Sequence, residues 1–244
     1  MKVQIVGQDT LAAAVYQCCC MHFDTQPIDY ADADLIWFCY DTPITQYGAP
    51  DAPWVVEQIN SRLARLPAGC TSPLILTSSQ LPVGTTAALE ARWPALDFAH
   101  SPENLRVATA VADFSNQARV VVGTRKPERR ALLEALFAPF TKFIIFTDPE
   151  TAEMVKHALN CLLGLQIAWA NEIARIAKAV GADMDKVTLA LRSEPRVSPQ
   201  APLRAGAPFG GGHLARDIIT LDMIATDRGL HAPIIGHIME SNEG

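Results

Sequence analysis

The chain has 244 residues, of which 49% are hydrophobic and 19% charged, and its formal net charge at neutral pH is −6. A chain of this length can bury the core of one or two globular domains. The acidic balance argues against a nucleic-acid partner, whose recognition needs a basic surface. No run of about 18 apolar residues predicts a membrane span, so we expect no membrane partner.

The six cysteines include the run Cys18-Cys19-Cys20 and lack the paired spacing of zinc sites. We interpret them as reduced and mostly buried thiols, which predicts a cytoplasmic protein without a metal site. The N-terminus runs directly into a strand pattern, and we expect no signal peptide.

The first twenty residues predict a strand at 2–7 followed by a small apolar helix at 10–20. Strand, glycine turn and helix form the opening of a Rossmann unit, whose fingerprint is G-x-G-x-x-G/A. Its second glycine position holds Asp9, which adds bulk and like charge beside a diphosphate. The candidates for cofactor binding at this turn are Gly7, Thr10 and Ala12.

The next segment is short. Residues 21–23 predict a brief second strand with Asp24 at its end, and a further strand is predicted at 33–40. The roughly dozen residues between them are too few for a helical crossover. We therefore predict that the adenosine-binding half is pruned, and that Asp24 and Asp29 are loop acids.

Alternating patterns complete an α/β domain over residues 1–147, a pruned Rossmann-like unit with a parallel sheet. Its further strands are predicted at 74–78, 119–123 and 143–146, and its further helices at 53–66, 85–92 and 131–137.

The strongest helical signal runs from 151 to 180, with Pro149 in the first turn and Gly181 at the end. A helix of about 30 residues is some 45 Å long, which is too long for so small a domain unless its apolar surface is shared. We therefore predict that residues 148–244 form an all-helical dimerisation domain. Two shorter helices are predicted in it, at 218–228 and 233–241.

A glycine-rich stretch at 208–217 precedes the first of these shorter helices. Glycines allow a close backbone approach, and the N–H groups of a helix start favour an anion. His213, Arg216 and Asp217 follow at spacings that suit one pocket. A flexible linker into a helix is the alternative interpretation.

Several motifs resemble the UDP-glucose/GDP-mannose 6-dehydrogenase family. Its active-site loop reads Gly-Phe-Gly-Gly-Ser-Cys-hydrophobic-Pro-Lys-Asp, and the stretch at 208–217 matches it with the catalytic Cys replaced by His213. The family's Lys falls on Arg216 and its Asp on Asp217. Residues 41–43, 79–85, 98–106, 152–160 and 193–197 resemble further motifs of the family.

The resemblance implies a role for each matched residue. It makes Lys156 and Asn160, which share one helical face at i, i+4, the groups that hold the substrate and stabilise the oxyanion. Glu103 matches an active-site Glu. Asp41, Thr42 and Pro43 match the cofactor-binding turn. The implied substrate-binding residues are Arg196, Phe209, Gly210, Gly211 and Arg216.

The resemblance also implies NAD as cofactor, a small-molecule substrate such as a nucleotide sugar, and a homodimer through the helix at 151–180. The resemblance covers nearly the whole chain, but it includes only two of the family's three domains. We therefore expect the third domain to be absent. His157 is interpreted as a packing residue.

The missing Cys removes the thiohemiacetal through which the family forms an acid, and Cys161 is no obvious replacement. Three hypotheses remain. The favoured one is an NAD-linked oxidoreductase of a CH–OH group, with His213 as general base, Lys156 and Asn160 polarising the alkoxide, and Asp217 orienting the His. The others are cofactor-independent acid–base chemistry using His213, Lys156 and Glu103, and a non-catalytic binding or scaffold protein.

Overall fold

The computed structural model describes residues 1–26, 29–45, 50–103, 105–210 and 212–243. The chain divides into two compact units. The first comprises Met1–Pro43 and Asp51–Lys156, and the second comprises Ile44–Pro50 and His157–Gly244. The domain boundary predicted at 147–148 stays a prediction, since compactness alone does not define a domain.

The first unit is built on one sheet, in which the described residues form six strands in sequential order. The strands are β1 Val3–Val6, β2 Leu35–Phe38, β3 Leu74–Thr77, β4 Asp97–His100, β5 Val120–Thr124 and β6 Ile144–Thr147. Neighbours are parallel except β4 and β5, which are antiparallel. The α/β Rossmann-like class is confirmed, and the expected parallel sheet is corrected to a mixed one.

The helices of this unit connect the strands and cover both faces of the sheet. They are α1 Thr10–Cys19, α2 Ala52–Leu63, α3 Thr85–Arg92, α4 Ala110–Ser115 and α5 Arg130–Phe137. Successive strand residues point to opposite faces. Trp37 and Leu76 accordingly lie in one buried cluster, and Ile36 and Ile75 in the other.

The brief strand predicted at 21–23 is wrong. Asp24 instead forms an isolated parallel bridge with Lys2, in which Val3 N donates to Asp24 O at 2.9 Å. Too few residues follow α1 to run alongside β1 for longer, because the chain must return to start β2 at Leu35. Asp29 caps a short 3₁₀ turn through its side chain, as a loop acid does.

The long helix α6 spans Pro149–Val180, so the helix predicted at 151–180 is confirmed. Its 32 residues give a length of about 48 Å. It starts where the Asp148 carboxylate accepts a hydrogen bond from Thr151 N at 2.8 Å. Within the described part of the chain, no helix is long and apolar enough to cross a membrane.

The second unit contains the later part of α6 with α7 Met184–Ser193, α8 Gly212–Asp227 and α9 Pro233–Glu243. Its core includes Ala168, Ile218 and Ile238. Gly164 lets α8 approach α6 closely, since a Cβ at this position would lie 2.7 Å from Ile218 Cδ1. The helical class predicted for this part of the chain is confirmed.

Candidate functional site

The turn after β1 has the close packing that the dinucleotide fingerprint demands. A Cβ at Gly7 would lie 2.6 Å from both Ala12 Cβ and Cys39 O, so only glycine fits here. The close packing of Gly7 on Ala12 is what the first and third positions of the fingerprint require, and Thr10 is the first residue of α1.

Asp9 closes the N-terminus of α1 with its own carboxylate. One oxygen accepts from Ala12 N at 3.2 Å and the other from Asp41 N at 2.5 Å. Helix N-terminal N–H groups are the donors that a diphosphate uses in Rossmann folds. Two of the residues predicted to bind cofactor, Ala12 and Asp41, thus donate their N–H groups to Asp9.

The rest of the predicted cofactor turn is also engaged within the protein. The buried Thr42 hydroxyl donates to Gln80 O at 2.6 Å, and Pro43 O accepts from Asp51 N at 2.8 Å. The groove beside Asp9 has a volume of about 270 Å³, at the lower limit of ligand pockets. The glycine packing fits NAD, whereas the carboxylate at the helix end does not fit a diphosphate.

Lys156 and Glu103 meet in the first unit. The buried Lys156 Nζ donates to Glu103 O at 2.6 Å and lies 3.5 Å from Glu103 Oε1. The other carboxylate oxygen, Oε2, accepts from Leu105 N at 2.6 Å, which fixes the Glu103 side chain. The structure thus brings these two predicted catalytic residues together and holds the ammonium in one place.

A buried acid of this unit, Glu153, was not singled out from the sequence. Its carboxylate accepts from Gly84 N at 2.6 Å, Thr86 N at 2.8 Å and the Thr86 hydroxyl at 2.7 Å, at the start of α3. Burial raises the pKa of Glu153, and these hydrogen bonds oppose that rise. The signal was available, because Glu153 lies three residues before Lys156 on α6 and hence on the same helical face.

Asp217 is the centre of a polar cluster in the second unit. It is fully buried, and its two oxygens bind His157 Nδ1 and Asn160 Nδ2, each at 2.5 Å. The expectation that Asp217 orients His213 is therefore wrong, because both its oxygens face α6. His157, interpreted as a packing residue, is buried as expected but is also a polar partner of this carboxylate.

His213 is exposed near the start of α8 and contacts Arg216 instead. Arg216 Nη2 lies 3.0 Å from His213 Nδ1. A guanidinium can only donate, so this bond requires Nδ1 to be the acceptor, and the neutral ring then carries its proton on Nε2. The arrangement makes Nε2 a hydrogen-bond donor and does not favour the general-base role predicted for His213.

Two of the remaining predicted substrate residues, Phe209 and Arg196, make polar contacts with other residues of the second unit. Asn242 of α9 anchors Phe209, accepting from its N–H at 2.9 Å and donating to its carbonyl at 3.0 Å. Apart from its chain neighbours, no atom of the described residues lies within 4 Å of a Cβ placed at Gly210. Gly211 lies outside the described residues. Arg196 has a side chain that is 87% exposed and pairs with Glu194 at 2.8 Å.

Cys161 is the one cysteine that follows Cys70 in the sequence. It is buried, and burial together with the nearby Asp217 carboxylate raises its pKa. A thiol with a raised pKa forms little nucleophilic thiolate. Among the described residues, no group of three His, Cys, Asp or Glu side chains is placed to hold a metal ion.

A Rossmann-like sheet with a glycine turn, followed by a long helix bearing Lys and Asn, defines a dehydrogenase-like protein. Sequence models of the UDP-glucose/GDP-mannose dehydrogenase family match residues 2–141 with the NAD binding domain and 150–244 with the central domain. The chain belongs to this family.

Similar proteins carry the same family names. UDP-glucose 6-dehydrogenase TuaD of Bacillus subtilis is 32% identical over 222 residues, which cover 86% of this chain and 46% of the relative. UDP-glucose 6-dehydrogenase of Rickettsia typhi is 29% identical over 88% of this chain and 50% of its own. This chain spans about half the length of these relatives.

Solved structures confirm the fold. A UDP-glucose dehydrogenase from Pyrobaculum islandicum has a TM-score of 0.77 at 27% identity, covering 87% of this chain and 51% of its own. A UDP-D-ManNAc dehydrogenase from Pyrococcus horikoshii has a TM-score of 0.82 at 18% identity, covering 100% of this chain and 68% of its own. At that identity the second likeness concerns the fold alone.

Proposed function

We propose that this chain is a nucleotide-sugar-binding member of the dehydrogenase family that does not oxidise its ligand to an acid. The observation that carries the proposal is the thiol chemistry of the second unit. His213 stands where the resemblance expects the catalytic Cys, and the thiol of Cys161 is buried with a raised pKa.

Oxidation of an aldehyde to an acid through a covalent route needs a thiolate that captures the carbonyl carbon. An imidazole does not form the equivalent thiohemiacetal. The neutral His213 ring, with Nδ1 facing Arg216, supplies a donor at Nε2 and is suited to hydrogen bonding of a ligand oxygen. The acid-forming step therefore has no nucleophile.

Ligand recognition is supported by the polar groups that each unit keeps. The first unit holds the Lys156 ammonium against Glu103, and the second unit holds the Asp217 carboxylate between His157 and Asn160. Buried charged groups are costly, and they concentrate at functional sites. The resemblance assigns Lys156 and Asn160 to the substrate, and the relatives are named for UDP-glucose.

A second candidate is a single NAD-linked, two-electron oxidation of a CH–OH group. The fixed Lys156 ammonium favours it, since a cation suits a developing alkoxide. In this reaction His213 would take the hydroxyl proton, which needs the ring to release Arg216. The carboxylate of Asp9 also argues against this reaction, because it does not fit the diphosphate of NAD. Acid–base chemistry without a cofactor would use the same Lys156 and Glu103.

We also propose a homodimer that forms through α6. In the second unit Leu162, Trp169 and Ile176 are 51%, 40% and 60% exposed and recur every seven residues along this helix. Such spacing places them on one face, where a partner helix would cover them. A cytoplasmic location is proposed from the cysteines, since all six are described and none forms a disulfide.

The test combines binding and turnover. UDP-glucose and GDP-mannose are titrated calorimetrically into the protein, and NADH and uronic acid are assayed with NAD present. We expect saturable binding of at least one sugar nucleotide and neither product. Lys156→Ala should weaken binding about tenfold, as loss of one charged hydrogen bond does. Lys142→Ala, which removes an exposed lysine of the same unit, is the control.

Each other outcome has a defined meaning. Uronic acid formation would overturn the proposal outright. NADH formed in a one-to-one ratio with a carbonyl product would replace it with the second candidate, and loss of that activity in His213→Ala would establish the base. Absence of sugar-nucleotide binding would remove the proposed ligand class.

A further inference from the structure

We infer that the Asp9 carboxylate occupies the anion site of the dinucleotide-binding turn, and that this carboxylate alone prevents a diphosphate from binding. The turn, called the cradle below, comprises Gly7, the start of α1 and the N–H group of Asp41. The inference rests on the proposed function in one respect, since both expect the natural chain not to use NAD. It goes further by assigning the exclusion of NAD to one side chain, and by predicting that the rest of the cradle is still able to bind a dinucleotide.

The carboxylate accepts hydrogen bonds from two backbone N–H groups of the cradle, which belong to different segments of the chain. Asp9 is the N-cap of α1, and its oxygens accept from Ala12 N at 3.2 Å and Asp41 N at 2.5 Å. The first donor belongs to the helix and the second to the chain just after β2. The carboxylate therefore bridges the same two segments that the sequence resemblance assigns to the cofactor.

A bound anion at a helix end weakens the attraction for a second one. The N-terminal N–H groups and the positive end of the helix dipole favour negative charge within the first turn. One carboxylate already satisfies this preference, and a diphosphate placed there would face a like charge. The side chain also fills the space that the second glycine of the fingerprint leaves open.

The rest of the cradle keeps the required form. Gly7 permits the tight approach of Ala12 Cβ and Cys39 O, as the first and third positions of the fingerprint require. The backbone of Asp9 has φ −114° and ψ −172°, an extended conformation that glycine also adopts. Glycine is tolerated at a helix N-cap, so Asp9→Gly should leave α1 in place.

The experiment titrates NAD, NADH and ADP-ribose into the full chain by calorimetry and by NADH fluorescence. For the natural protein we expect no saturation at millimolar ligand. Asp9→Gly should bind at least tenfold more tightly, and Asp9→Asn, which keeps an acceptor oxygen but removes the charge, should fall between them. Asp29→Asn removes an exposed acid of the same unit and should behave as the natural protein does.

The outcomes separate the two proposals. If the natural protein binds NAD at micromolar concentration, the inference is wrong, whereas the proposed function is overturned only if uronic acid is formed. If neither the natural protein nor any Asp9 variant binds while their thermal unfolding is unchanged, the inference alone is overturned. Should Asp9→Gly fail to fold, Asp9→Asn against Asp29→Asn still decides the matter, since a charge effect must separate these two.

Discussion

Asp217 is fully buried, and its carboxylate binds two residues of α6, His157 and Asn160. Asp217→Asn keeps the shape but turns one oxygen into an NH₂ group, which would either oppose the Asn160 amide donor or require His157 Nδ1 to become an acceptor. Leaving a buried donor without an acceptor costs about 1–3 kcal/mol. We expect a loss of that size in the free energy of unfolding, measured by urea denaturation.

The control is Asp227→Asn at the exposed end of the same helix, which should change stability by less than about 0.5 kcal/mol. Equal effects of the two substitutions would show that the contacts with His157 and Asn160 contribute nothing specific to stability.

At the scale of elements, the sequence predicts those with strong periodicity. Helix α6, predicted at 151–180, extends over Pro149–Val180, and α3 has its predicted bounds. Helices α4 and α7 were not predicted. The first has six residues, too few for a periodic signal, and the second carries few buried side chains.

The site was predictable to the level of residue type and no further. Motif matches selected Lys156 and Asp217, both of which lie in polar clusters. The motif matches could not predict which of these residues form hydrogen bonds with each other, because the contact of Asp217 with His157 joins residues 60 positions apart. The role of Asp9 as a cap was also missed, although its charge was noted. An Asp just before a helix is a local signal for a cap, whereas its second contact, with Asp41 N, joins residues 32 positions apart and is not encoded locally.

Helix α3 begins without a side-chain cap of its own, since its N-cap is Gly84. The Glu153 carboxylate, brought by α6, replaces that cap by accepting from Gly84 N and Thr86 N. Glu153→Ala would leave these donors buried without an acceptor. We expect a loss of about 1–3 kcal/mol at neutral pH, measured by denaturant unfolding. Glu134→Gln, an exposed acid on α5, is the control and should have little effect.

The pH dependence of stability tests the same carboxylate. Burial raises the pKa of Glu153 above its ordinary value of 4.5, so between that value and the folded-state pKa the native protein binds more protons than the unfolded chain. The proton-linked part of its contribution to stability is therefore full below about pH 4.5 and is lost as pH rises through the folded pKa, while the ionised carboxylate still accepts from Gly84 N and Thr86 N at neutral pH. Relative to Glu153→Gln, the natural protein should become less stable over that window. A difference between the two proteins that stays constant with pH would refute this.

At the scale of the whole molecule, the proposed homodimer depends on the exposed face of α6. Leu162, Trp169 and Ile176 are separated by seven residues, and an α-helix drifts by only about 20° over that interval, so the three lie on one side. Burial of one such side chain contributes roughly 1.5–3 kcal/mol. An exposed row of this kind favours association with a second copy through the same face.

Ile176→Glu places a charge at the C-terminal end of that row, where its desolvation opposes association. We expect the natural protein to elute as a dimer and the variant as a monomer, measured by light scattering after size exclusion at matched concentration. Lys178→Glu also changes the charge of α6, but two residues along the helix it points away from the stripe, and it should leave the dimer intact. If the natural protein is monomeric at tens of micromolar, or if Lys178→Glu dissociates it equally, association does not use this face.

Because Ile176 is 60% exposed, the glutamate at this position lies in water when the protein is a monomer. Dissociation of the variant without loss of helicity therefore shows that the interface is disrupted while the fold is intact.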